Sequence, residues 1–354
     1  MVSRKGALEL AASFGFVLLA GCSVLPLSLS KGQDDMELPP PAVPAFGQSP
    51  IGDGHAVKGN WKEFSIDGYP QGIVRRRGGD FWIADGEMTD TLTRVSPKGQ
   101  TATYAIGNEP LELAVDSADN LWATTGVFLN QIIRVTPKMK VTAFSLNDAT
   151  AGGITVGADG NIWFVENSHV GKLTPDGTLR EYSTGQNSGE SGLTWAPDGL
   201  VWFREVNALA SVNSKTGKVT TYGAPMFDCG GAIVAAPDGS IWYTLQASMV
   251  TLVHFVPKTG VSTEYYAPPN YRPYGSPAGM ILARDGSLWY TVQRLRGHPI
   301  KHVIGGGLVR FDPLTKAFTR YPAPNGYNWD WDLIAGPHGT LWTTSGGSAA
   351  ELKP

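Results

Sequence analysis

The sequence predicts an all-β protein, a seven-bladed β-propeller of four-stranded antiparallel blades in which an N-terminal strand completes the last blade. A unit of roughly 40 residues recurs from residue 60 onward, the sign of a repeat architecture. Glycine (44) and proline (25) are abundant in the 354 residues, which favours many turns between short strands. No segment shows a competing helical periodicity.

The N-terminus has the features of a secretion signal. Arg4 and Lys5 precede a short apolar run at 11–19, and the sequence Leu-Ala-Gly-Cys at 19–22 resembles a bacterial lipobox. We therefore expect residues 1–21 to be a lipoprotein signal peptide. Acylation of Cys22 would hold the exported protein at the cell envelope, facing the periplasm or at the cell surface. An ordinary signal peptide or an uncleaved anchor is the alternative.

The segment after the signal is predicted to be a tether. Residues 22–58 are rich in proline and lack periodic apolar residues, so they would link the membrane to a domain at 59–354. Cys229 is the other of the two cysteines, and acylation of Cys22 would leave no intramolecular disulfide. The net charge is −3 without a long basic run, which argues against a nucleic-acid partner. We expect a monomer.

The repeat unit contains four short strands. Each copy places a turn and an apolar residue before a tryptophan, and the seven tryptophans are Trp82, Trp122, Trp163, Trp202, Trp242, Trp289 and Trp342. In the third copy the strands are predicted at 153–156, 162–166, 170–174 and 178–182, separated by Asp-Gly turns that tolerate positive φ. Such four-stranded units are the building blocks of propellers.

The ends of the domain support ring closure. The seventh unit stops at residue 354 without a fourth strand, whereas residues 60–66 upstream of the first unit resemble one. Pairing the two ends would remove both free sheet edges.

Two stretches carry a family resemblance. Gly-Ile-Thr-x-Gly-x-Asp-Gly-Asn-Ile-Trp-Phe-x-Glu at 153–166 and Val-Gly-Lys-Leu-Thr-Pro-Asp-Gly at 170–177 resemble the streptogramin B lyase (virginiamycin B lyase) family, and the resemblance spans residues 60–354. It implies a seven-bladed propeller. It also implies enzymes that linearise a cyclic depsipeptide antibiotic by elimination, with a magnesium ion, acidic residues and histidines on one face.

The family's functional residues are replaced in this chain. Trp331 stands where the resemblance places the base histidine, Trp329 where it places a metal glutamate, and Gly346 roughly where it places a second glutamate. The stretch Pro-Ala-Gly-Met at 277–280 also lacks its histidine. Elimination needs a base, and metal chemistry needs clustered oxygen ligands. We therefore do not expect streptogramin lyase activity.

Three long loops of blades five to seven are candidate ligand-binding segments on one face. Aromatic and basic residues together suit a planar, acidic or sugar-like ligand, either a small molecule or part of a protein. The candidates are Tyr271, Arg272, Tyr274, Arg294, Arg296, His298, Trp329, Asp330 and Trp331. The alternative is that these loops pack on one another and cover the channel.

Four carboxylates form a second candidate site. Glu166 and Glu205 lie three residues after a repeat tryptophan, and Glu112 and Asp332 replace small residues at the start of a first strand. Gathered around a channel, they could hold a hard cation such as Mg²⁺ or Ca²⁺. A solvated channel mouth, or glutamates that bond to the next blade, is the structural alternative.

Two functions follow from these observations. The first is a binding or interaction scaffold at the cell envelope, which uses the loops of blades five to seven. The alternative is a divalent-cation-dependent enzyme of the lyase or lactonase type that acts on a cyclic ester. Fold alone does not choose between them.

Overall fold

The computed structural model describes residues 47–48, 54–86, 89–126, 129–147, 151–166, 168–184, 188–205, 208–223, 231–245, 252–267, 279–292, 306–324, 330–345 and 347–354. These residues belong to the unit Phe46–Pro354. They contain no helix long and apolar enough to cross a membrane.

The predicted fold is confirmed: the strands form seven antiparallel blades of four strands each, arranged as a propeller. Blade 1 consists of β4 (Ile73–Arg75), β5 (Phe81–Ala84), β6 (Thr91–Val95) and β7 (Thr101–Ala105), and blade 2 of β8 (Pro110–Val115), β9 (Leu121–Thr125), β10 (Gln131–Val135) and β11 (Val141–Ser145). Blade 3 consists of β12 (Ile154–Val156), β13 (Ile162–Glu166), β14 (His169–Leu173) and β15 (Leu179–Ser183), and blade 4 of β16 (Ser188–Trp195), β17 (Leu200–Glu205), β18 (Ala208–Asn213) and β19 (Val219–Tyr222).

Blades 5 to 7 follow the same order. Blade 5 consists of β20 (Ile233–Ala235), β21 (Ile241–Thr244), β22 (Leu252–Val256) and β23 (Val261–Tyr265), and blade 6 of β24 (Met280–Leu282), β25 (Leu288–Val292), β26 (Gly307–Phe311) and β27 (Phe318–Pro322). Blade 7 contains β28 (Asp330–Ala335), β29 (Leu341–Ser345) and β30 (Ser348–Lys353). A short 3-10 turn at Pro337–Gly339 joins β28 to β29.

The Asp-Gly turn of the repeat has a structural role beside the tryptophan in blade 3. The Oδ1 atom of Asp159 accepts the main-chain N–H of Asn161 at 3.1 Å and the indole Nε1–H of Trp163 at 3.4 Å. In blade 3 the turn glycine, Gly160, has φ +77°, a conformation that glycine adopts without steric cost. The repeat signature therefore fixes the first hairpin of a blade.

The repeat tryptophans lie in the core, as the sequence indicates. Trp122, Trp163 and Trp202 are fully buried, and each packs against an aromatic side chain of the fourth strand of its own blade, Phe144, Tyr182 and Tyr222 respectively. The apolar clusters fill the spaces between neighbouring blades, so each blade is stabilised by the next one around the ring.

The ring closes as predicted. Strand β3 (Asn60–Ser65) pairs antiparallel with β30, from Asn60 opposite Lys353 to Ser65 opposite Ser348, and completes blade 7. Phe64 of β3 stacks on Trp342 with ring centroids 4.9 Å apart.

The segment before β3 also belongs to the sheets. Strands β1 (Gly47–Gln48) and β2 (Gly54–Ala56) pair in parallel with β23 and β27, and they add a fifth strand to blades 5 and 6. Residues 47–56 lie within the predicted tether of 22–58, so the propeller begins upstream of residue 59. These strands have only two and three residues, which is too short for an alternating apolar pattern to be recognised in the sequence.

Candidate functional site

The upper face of the ring is the end at which the second strand of each blade ends, for example at Ala84 of β5 and Glu166 of β13. Because the first and second strands are antiparallel, each first strand begins at this face. The innermost strands therefore bring their N-terminal residues together around the upper mouth of the central channel.

Neighbouring first strands approach each other so closely that glycine is required at several of these positions. A Cβ on Gly72 of blade 1 would lie 2.7 Å from Leu111 O and from Leu113 N of blade 2. A Cβ on Gly279 of blade 6 would lie 2.6 Å from Leu333 N of blade 7. At these positions the mouth is lined by backbone, so a larger side chain at an equivalent position departs from the repeat pattern and requires a local change of the strand.

Glu112 of blade 2 and Asp332 of blade 7 are the two acidic exceptions that the sequence singled out. Both lie in β-bulges of their first strands, where the register shifts between Pro110 and Leu113 and between Asp330 and Leu333. A bulge re-aims a side chain relative to its strand. The two blades flank blade 1, where only Gly72 occupies the equivalent position.

A threonine hydroxyl holds each bulge. The main-chain N–H of Glu112 donates to Thr124 Oγ1 at 3.1 Å, and that of Asp332 donates to Thr344 Oγ1 at 3.2 Å. Both threonines lie two residues after the repeat tryptophan of their blade. The second strand thereby positions the acid on the first.

The carboxylate of Asp332 is engaged by main-chain donors. Its Oδ2 accepts the N–H of Ile73 at 2.9 Å, and its Oδ1 accepts the N–H of Leu333 at 2.7 Å. These bonds favour the ionised form of Asp332.

Glu112 and Asp332 lie close enough to influence each other's protonation. Burial, and next the negative charge of Asp332, raise the pKa of Glu112 to about 8. Burial also raises the pKa of Asp332, against the opposing effect of its two main-chain hydrogen bonds. Both side chains retain partial solvent exposure in the channel. The two groups therefore titrate as a coupled pair, and the main-chain hydrogen bonds to Asp332 favour placing the shared proton on Glu112.

An aromatic residue that sequence reasoning missed lies on the same face. Tyr69 is 70% exposed, in the connection from β3 to β4. Two residues on, the carbonyl of Gln71 accepts a hydrogen bond from Thr344 Oγ1, the hydroxyl that also holds Asp332. Tyr69 follows no repeat pattern, so only its exposure in the folded chain reveals it.

The other predicted carboxylates lie between blades rather than beside Glu112. Glu166 and Glu205 are buried at the upper ends of β13 and β17. Burial, then the charge of Glu181, raises the pKa of Glu166 to about 7, and burial raises the pKa of Glu205. Asp85 holds the equivalent place in blade 1, where burial raises its pKa to about 6 despite hydrogen bonds from Thr91 and Thr93.

The structure does not gather the four predicted metal ligands. In the described part of the chain, no three His, Cys, Asp or Glu side chains are arranged so that they could hold a metal ion. Glu112 and Asp332 form a pair, whereas Glu166 and Glu205 are each buried among strands.

Most of the predicted ligand-binding residues lie outside the described residues. These are Tyr271, Arg272, Tyr274, Arg294, Arg296, His298 and Trp329, together with the lipidation residue Cys22. Asp330 and Trp331 are described as part of strand β28, through their backbone. Their assignment to a ligand site stays a prediction.

Comparison with known proteins agrees with this architecture. The model of the virginiamycin B lyase family matches residues 48–187 and 106–350. A catalytically inactive virginiamycin B lyase from Staphylococcus aureus with quinupristin superposes with a TM-score of 0.71 at 22% identity, over 84% of this chain and 100% of that one.

Two further solved structures are similar. A streptogramin B lyase has a TM-score of 0.70 at 21% identity, over 83% of this chain and 97% of that one. A putative gluconolactonase has a TM-score of 0.55 at 14% identity, over 83% and 92%. At these identities the structural similarity shows the fold alone. No curated protein matches the sequence significantly.

Proposed function

The chain belongs to the virginiamycin B lyase family, and on that premise we propose that it is a cell-envelope lipoprotein that binds a small, sugar-like ligand at the upper channel mouth and does not cleave streptogramins. The observation that carries this proposal is the pair of interacting carboxyl groups at the mouth, whose coupling and hydrogen bonds favour the proton on Glu112 and the charge on Asp332. Glu112 can donate a hydrogen bond and Asp332 can accept one.

Aromatic side chains supply the other half of such a site. The exposed ring of Tyr69 offers a flat apolar surface on the same face. Sugar-like rings combine apolar faces with hydroxyl groups, so a stacking surface beside a donor and an acceptor matches them. The sequence also predicts Tyr271, Tyr274, Trp329 and Trp331 as ligand-binding residues, and their part in this surface stays a prediction.

The residues present do not fit the magnesium ion of the family's enzymes. Trp329, Trp331 and Gly346 stand at the positions where the resemblance places ligands and base, and neither tryptophan nor glycine supplies a carboxylate or an imidazole. Asp330 and Asp332 flank Trp331 in the sequence, and each carboxylate oxygen of Asp332 already accepts a main-chain N–H group. No elimination step is therefore derived for this chain.

The proposed membrane attachment depends on Cys22. The lipobox-like sequence at 19–22 supports acylation at this residue. Metabolic labelling with a palmitate analogue should mark the expressed protein, and the Cys22→Ser variant should lose the label and leave the membrane fraction. Labelling that persists in Cys22→Ser would contradict the assignment.

Two assays test the binding proposal. Incubation with quinupristin and Mg²⁺, followed by mass spectrometry, should give no linear product above a buffer control, while an active streptogramin lyase does. A thermal-shift screen of mono- and oligosaccharides should give hits whose binding weakens about tenfold or more in Glu112→Ala and in Tyr69→Ala. Leu314→Ala, a change at a side chain that is 92% exposed in a turn between outer strands, is the matched control.

A second candidate function would use the same two carboxyl groups, with both of them ionised. A divalent-cation-dependent lyase or lactonase would need a hard cation between Glu112 and Asp332, with further ligands from water or substrate. Calorimetric titration with Mg²⁺, Ca²⁺ and Mn²⁺ tests it, because binding lost in Glu112→Gln and Asp332→Asn would justify a screen of cyclic esters and lactones. Absence of heat with all three cations would eliminate this candidate.

A further inference from the structure

Within the described part of the chain, Glu205 is a buried acid to which no hydrogen-bond donor is directed. It ends strand β17 and is 1% exposed. Neither of its carboxyl oxygens has a hydrogen-bond partner among the described residues. Buried polar groups in native proteins are nearly always paired, so an exception of this kind requires an explanation.

The side chain of Glu205 lies at the contact between blades 3 and 4. Side chains alternate along a strand, so Glu205 shares the face of Val201 and Phe203. That face packs against Trp163, Val165 and Val170 of blade 3 in one apolar cluster. Arg204, the preceding residue, points the other way, toward Gly231 of blade 5.

The titratable groups on the elements around Glu205 do not form a counter-charge for it. On blade 3, Glu166 shares the strand face of Phe164, which packs toward blade 2 and therefore away from Glu205. Lys172 is engaged elsewhere, in an ion pair with Asp159 at 3.1 Å. Strand β18 carries no titratable residue, and the side chain of Glu190 on β16 lies outside the described residues. The remaining titratable side chains on β15 are Arg180, Glu181 and Tyr182.

Burial alone accounts for the change in acidity of Glu205. It raises the pKa of the carboxyl group, and no neighbouring charge of either sign contributes. A neutral carboxylic acid costs far less to bury than an unpaired carboxylate. The contact between the two blades therefore favours the neutral form of Glu205.

We propose that Glu205 is a proton-dependent wedge between blades 3 and 4: protonated, it packs as a neutral side chain, and its ionisation loosens the contact between these two blades. The proposal concerns the propeller ring and is independent of what the channel mouth binds. The repeat offers neutral alternatives at the same place, since Thr125, Leu245, Val292 and Ser345 lie three residues after the tryptophan in other blades. Asp85 of blade 1 and Glu166 of blade 3 are acids at the equivalent place, but Asp85 accepts hydrogen bonds from Thr91 and Thr93, whereas neither oxygen of Glu205 has a hydrogen-bond partner among the described residues.

Hydrogen exchange measured by mass spectrometry tests the wedge in the full chain. When the pH is raised from about 5 to about 8.5, exchange in peptides covering β13, β14, β17 and β18 should accelerate more in the wild type than in Glu205→Gln, after correction for the intrinsic exchange rate. Peptides from blade 6 should exchange equally in both proteins. Glu63→Gln, at an exposed glutamate of β3, should behave as the wild type.

Thermal unfolding gives a second, independent measurement. At about pH 5 the Tm of Glu205→Gln should be close to that of the wild type. At about pH 8.5 the Tm of Glu205→Gln should be higher than that of the wild type by at least about 2 °C. If Glu205→Gln fails to fold, Glu205→Leu replaces it, because a leucine fills the same apolar contact without a charge. Equal pH dependence in the wild type and in either folded variant, in both exchange and Tm, would overturn the proposal.

Discussion

The Oδ2 atom of Asp332 accepts the main-chain N–H of Ile73 at 2.9 Å, across the seam where the last blade meets the first. Ile73 lies in the first strand of blade 1 and Asp332 in the first strand of blade 7, and these two blades become neighbours when the ring closes through β3. The acid at the channel mouth thus also fastens the ring.

Asp332→Asn should weaken this seam. The amide keeps one acceptor oxygen but places an NH₂ group against one of the two main-chain donors, Ile73 N–H or Leu333 N–H. An unsatisfied buried donor costs about 1–3 kcal/mol, and we expect a loss of that size in the free energy of unfolding. Urea unfolding measures it. Asp312→Asn, in an exposed outer turn, is the control, and an equal loss there would refute a specific role for Asp332.

Glu112→Gln should remove a pH dependence of stability. In the folded state Glu112 keeps its proton up to a pKa of about 8, well above its ordinary value of 4.5, so between these pH values the folded state binds more protons than the unfolded state. The stabilisation is complete below about pH 4.5 and is lost as the pH rises through about 8. We expect about 1–2 kcal/mol, kept small because the side chain retains solvent access.

Melting temperatures between about pH 6 and pH 9 would show this effect. The wild type should lose more than Glu112→Gln over that range. Parallel curves would mean that Glu112 does not carry the proton of the pair.

Gly72→Ala should be severely destabilising. The new methyl group would lie 2.7 Å from Leu111 O and Leu113 N of the neighbouring strand, and these are backbone atoms that cannot rotate away. We expect a loss of about 3 kcal/mol or more, or no folded protein. Gly223→Ala is the matched control, since its Cβ would meet nothing within 4 Å. A folded Gly72→Ala protein with the stability of Gly223→Ala would disprove the close approach.

Truncation should distinguish the outer strands β1 and β2, which extend blades 5 and 6, from strand β3, which closes the ring. A chain that begins at residue 59 keeps β3 and loses only β1 and β2, whose strands have two and three residues, so it should fold with a modestly lower Tm. A chain that begins at residue 67 also loses β3 with Phe64 and Ile66, and it exposes the edge of β30. That shorter chain should aggregate. Circular dichroism and gel filtration distinguish the outcomes.

Much of the fold was predictable because the repeat is local. A turn, an apolar residue and a tryptophan recur at nearly constant spacing, and a copy specifies its own hairpin through local contacts such as that of Asp159 with Trp163. The spare strand at 60–66 revealed the closure for the same reason. Strands β1 and β2 escaped notice, because two or three residues without alternation carry no periodic signal.

The candidate site was predictable only in part. Glu112 and Asp332 stood out because the repeat has glycine or alanine at most of their equivalents, so a departure from the pattern marked them. Tyr69 had no such marker, and the grouping of Glu166 and Glu205 with the channel acids was an assumption about direction that the structure does not support.

The sequence by itself determined the seven blades, the closing strand and the identity of the unusual acids, since all of these follow from local repetition and its exceptions. Only the tertiary structure decided which acids meet. Glu112 and Asp332 are far apart along the chain yet flank the same blade, because ring closure brings blades 7, 1 and 2 side by side. Side-chain direction decided the rest: a bulge turns these two acids to the channel mouth, whereas regular strand alternation buries Glu205 between blades 3 and 4.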